Sequence, residues 1–70
     1  MPAVMNAANE IAVASFLAEE IPLSGIAKTV DGVMRRHHDE KVPGLASIEA
    51  ADQWARCVAR ELIEDGSRSV

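Results

Sequence analysis

His37 and His38, followed by Asp39 and Glu40, are the side chains in this sequence best suited to gripping a metal ion. Zinc requires three or four ligands in tetrahedral array, and neighbouring side chains on a helix do not face one another. The cluster therefore reads as a solvated helix end, where the dipole favours positive charge. Cys57 is the one thiol. A nucleophilic cysteine needs a basic partner and partial exposure, whereas its neighbours predict a small core or half-exposed residue. The glycines are isolated from one another, so no loop of the phosphate-cradling kind is present. No Ser/His/Asp order suggests a triad in so short a chain. No residue is assigned a catalytic, cofactor-binding or metal-binding role.

One polar cluster is different in kind. Asn6, Asn9 and Glu10 occupy adjacent turns of an otherwise apolar stretch, with Asn6 and Glu10 at i,i+4. Near a helix start such residues satisfy free N–H groups and suit the positive end of the dipole. The sharper reading is a buried polar network that sets how this helix docks, which would require partners for every group.

The elements that must position these residues are three helices. Residues 3–20 form the first, with Pro2 placed where a missing N–H costs nothing and alanines at 3, 7, 8, 12, 14 and 18. Met5, Ala8, Ala12 and Phe16 make one apolar stripe; Val4, Ala7, Ile11, Ala14 and Leu17 make a second, partly opposite one. A helix apolar on both sides is a buried helix. Ile21-Pro22 is expected to end it. Ser24 then caps a second helix over 25–37, with Ile26, Val30, Val33, Met34 and His37 on one face and Asp31–Arg35 as an i,i+4 pair. Gly32 weakens it by about 1 kcal/mol relative to alanine. A polar connection over 38–46 ends in the turn signal Val42-Pro43-Gly44. Ser47 caps a third helix over 48–65, whose apolar face runs Ile48, Ala51, Trp54, Ala55, Val58 and Leu62. Asp52–Arg56 and Arg60–Glu64 add i,i+4 pairs, Gly66 is placed to stop the helix, and the last residues are expected to fray. The expected fold is an all-α three-helix bundle forming one domain over residues 1–70. Ile11, Phe16, Leu17, Val30, Trp54, Val58 and Leu62 are its expected packing residues.

Composition bounds the function. A 70-residue chain buries only about 60% of its unfolded surface, so its stability alone is marginal. The net charge of −4 is the wrong sign for a phosphate backbone or an anionic membrane surface. That charge, with no basic recognition helix, also disfavours a helix-turn-helix DNA binder. No apolar run approaches the roughly 20 residues that span a bilayer. The single cysteine and the lack of a signal-peptide pattern fit a reducing, cytoplasmic setting.

The stretch from Pro2 to Leu17, with Asn6-Ala7-Ala8-Asn9-Glu10 at its heart, resembles the opening of the C-terminal helical domain of 1-deoxy-D-xylulose 5-phosphate reductoisomerases. Ile21-Pro22-Leu23-Ser24-Gly25-Ile26-Ala27 resembles that family's turn into its next helix, and Ala51-Asp52-Gln53-Trp54-Ala55-Arg56 its final helix. The resemblance runs in register over nearly all of the chain. It implies a parent that makes 2-C-methyl-D-erythritol 4-phosphate in non-mevalonate isoprenoid biosynthesis, using NADPH and magnesium or manganese. The family's cofactor loop, metal carboxylates and phosphate ligands have no counterpart in residues 1–70. What carries over is architectural: Asn6, Asn9 and Glu10 as a polar anchor, and Trp54 as a core residue. The family domain has a preceding helix that completes a four-helix bundle; here Met1 stands where that chain would run on, and reads as an initiator on a shortened chain. The bundle is thus expected to be incomplete, and inactive alone. Its open face calls for the remainder of a parent enzyme or another copy of itself, giving a homo-oligomer, with no nucleic acid or membrane partner. A free-standing helical interaction module is the rival reading.

Overall fold

A computed structural model describes residues 2–40 and 47–68, all-α with three helices. They are α1 (Pro2–Leu17), α2 (Leu23–Glu40) and α3 (Ile48–Arg68). α1 packs along both partners, and α2 and α3 meet over a shorter stretch.

The core is built almost wholly from small aliphatic side chains. Ala8, Ala12, Ala51, Ala55 and Ala59 are fully buried, and Val4 and Val33 are the largest side chains completely enclosed. Alanine-lined helices approach closely, so contact comes from backbone proximity more than from side-chain bulk. Ile11, Val58 and Ile63 fill the remaining space, with Val30, Met34, Trp54 and Leu62 packed half-buried against them.

The two stripes expected on the first helix are the halves of a single wedge. At about 100° per residue, their inner members Val4, Ala7, Ala8, Ile11 and Ala12 share one face, and all five are buried. Ser15, not Ala14, continues that face, and it too is buried. Leu17, expected in the core, is 73% exposed at the outer edge of the wedge. Steps of three from Ile11 to Ala14 to Leu17 rotate the side chain away from the core. Phe16 is half-buried on the opposite edge.

α1 also ends earlier than Pro22 would dictate. The Glu19 N–H donates to the Phe16 carbonyl at 3.0 Å and the Glu20 N–H to the Ser15 carbonyl at 2.9 Å. These are the paired bonds of a Schellman cap, and they put Glu19 at the left-handed position, φ 62°. Glutamate strains there where glycine would not. Glu19→Gly is therefore expected to raise stability by up to about 1 kcal/mol, the relief of strain outweighing the looser unfolded chain. A circular-dichroism melt shifted downward by this substitution would contradict that account.

The other boundaries move for local reasons. α2 starts at Leu23, so Ser24 lies inside the first turn and is not the cap. The Pro22 carbonyl accepts from the Gly25 N–H at 2.8 Å, opening the helix directly after the proline. α2 runs on through His38 to Glu40; the expected turn at Val42-Pro43-Gly44 lies outside the described residues. Ser47 does cap α3, its Oγ accepting from the Ala50 N–H at 3.1 Å. Ile48, on the expected apolar face, is 73% exposed because it lies a turn outside the buried Ala51. Gly66 does not stop α3, which continues to Arg68. Its φ is not left-handed, and one helical glycine costs only about 1 kcal/mol.

Gly32 has a packing reason. A methyl group there would lie 2.8 Å from Leu62 Cδ1, so the bare glycine backbone lets α2 seat against α3.

Candidate functional site

The chemistry-bearing residues do not converge. The His37 ring rests against Trp54, centroids 5.7 Å apart and tilted by 58°, holding α2 to α3. His38 and Cys57 are exposed. Among the described residues no group of three or more His, Cys, Asp or Glu side chains could hold a metal ion. Among those residues no acidic cluster fits a divalent metal, and the sequence holds no glycine-rich turn to fit a dinucleotide phosphate.

The Asn6, Asn9 and Glu10 cluster is divided by its helix. Glu10 turns to α3, where its carboxylate accepts from Arg56 Nη2 at 2.9 Å. Asp52 holds the same guanidinium from one turn earlier in α3, accepting from Nε at 2.7 Å. The hydrogen bonds from Arg56 to Asp52 and then to Glu10 push its pKa up, against a smaller opposing effect of desolvation. Arg56 is charged across the ordinary pH range, and added salt weakens this exposed clamp. Glu10→Gln is expected to lower the melting temperature slightly in dilute buffer, a loss that shrinks as salt screens the wild-type pair. An equal loss in dilute buffer and in molar salt would mean that Glu10 acts by packing.

Asn6 and Asn9 are exposed and face the other way, toward α2. They are not members of a polar network buried within this chain, because the cluster lies across the open arc of α1 rather than in its wedge. With Met5 they form one wall of an open groove of about 750 Å³. The opposite wall is the α2 stripe Leu23, Ile26, Ala27, Val30 and Met34. Leu23 is 67% exposed and Met5 48%. Among the described residues Asp31 is the one charged group lining the groove, and it is paired to Arg35 at 3.0 Å. The arrangement is an apolar trough with two amides on its edge, suited to receiving a helix by burial plus side-chain hydrogen bonds.

Of the expected packing residues, Ile11 and Val58 are buried, Val30, Trp54 and Leu62 pack half-buried against the core, and Leu17 faces out. The sequence reading missed the groove-lining role of Leu23, Ala27 and Asp31, and Arg56 as the hub joining two helices. Leu23, Ile26, Val30 and Met34 recur at helical spacing, a signal hidden once Ser24 is taken as the cap.

A family model described as the DXP reductoisomerase C-terminal domain matches residues 1–58. A 1-deoxy-D-xylulose 5-phosphate reductoisomerase of Symbiobacterium thermophilum is 62% identical over 61 residues, covering 87% of this chain and 16% of that protein. One from Ruminiclostridium cellulolyticum is 52% identical over 63 residues, 90% of this chain and 16% of its own. One from a Synechococcus strain is 46% identical over 70 residues, 97% of this chain and 17% of its own. The chain thus spans about a sixth of the length of these curated relatives. No solved structure matches. No helix among the described residues is long and apolar enough to cross a membrane.

Proposed function

Because the chain belongs to the DXP reductoisomerase C-terminal domain family, we propose that it serves as the helical tail of a 1-deoxy-D-xylulose 5-phosphate reductoisomerase and braces that enzyme by packing. The observation that carries this reading is the match to the family's C-terminal domain and to the relatives, on a bundle with an apolar trough that lies open. The chemistry belongs to the rest of the parent: conversion of 1-deoxy-D-xylulose 5-phosphate to 2-C-methyl-D-erythritol 4-phosphate with NADPH and magnesium or manganese, in the cytoplasm. The parent's own chain is the occupant of the groove, and Asn6 and Asn9 anchor it by hydrogen bonds. In isolation the same trough draws a second copy of the chain, giving a homo-oligomer.

The assay is direct. The 70-residue chain, mixed with NADPH, magnesium and the sugar phosphate, is expected to consume no NADPH. Deleting this segment from a full-length reductoisomerase that carries it is expected to lower that enzyme's thermal midpoint. Turnover by the isolated chain, or a deletion that leaves the midpoint unmoved, would overturn the bracing role.

A further inference from the structure

We draw no further inference here: the strongest candidate, the open trough between α1 and α2 around Met5, Leu23 and Met34, belongs to the surface already described under the proposed function.

Discussion

Ala55→Leu is expected to lower the thermal midpoint of the chain by roughly 5–20 °C, from an overpacking cost of about 1–3 kcal/mol in a domain this small. Ala55 is fully buried on α3, in a core where Ala8, Ala12, Ala51 and Ala59 are equally enclosed. Three added carbons at a fully enclosed position are expected to drive α3 away from its partners. Moving α3 would also disturb the reach of Arg56 to Glu10, now 2.9 Å. A chain of this length holds only about 4–10 kcal/mol of total stability, so the loss is a large share. Ala14→Leu is the control. Ala14 is exposed on α1, and leucine there changes helix propensity little, so its midpoint should shift by no more than a surface substitution does. If the two variants melt alike, the core is not the close alanine packing described above.

The second large effect is conditional on context. Met5→Glu with Leu23→Glu places two carboxylates on opposite walls of the trough. In the isolated chain, diluted until it is monomeric, both positions are open to water, so the melt there should move by no more than about 1 kcal/mol, two surface changes together. In a full-length enzyme that seats a helix there, each substitution removes about 1.5–3 kcal/mol of apolar burial and adds a desolvated charge. The tail should then detach, seen as rapid proteolytic release of the domain and a lowered thermal midpoint. Light scattering gives a second reading on the isolated chain. The wild type should gain mass with concentration, and the double variant should stay monomeric. Equal small effects in the isolated chain and in the full-length enzyme would remove the trough from any docking role.

The helices were legible because their local signals agree with the tertiary fold. Ser47 is placed to cap and does cap, and the stripe through Ala51, Ala55 and Val58 is buried as its spacing requires. Boundaries failed where hydrogen bonding overrode residue preference. Nothing in Glu19 announces a left-handed residue, since that position ordinarily selects glycine or asparagine. Gly66 advertises a stop that the backbone does not take. Leu17 was misplaced because, on so apolar a helix, composition does not say which arc faces inward.

Residue type and spacing were enough to establish an all-α chain and its three helices, and the quoted stretches carried the resemblance to the family whose tail domain it matches. Those properties depend on local propensity and on recurrence along one strand of text, which a linear reading captures. The splitting of Asn6 and Asn9 from Glu10, the role of Arg56 as a two-helix clamp and the fit of Gly32 against Leu62 emerged only in three dimensions. Each depends on the rotation of one helix against another. That rotation is set by the summed close packing of the α1 and α3 alanines with Val33 of α2, so no single segment encodes it.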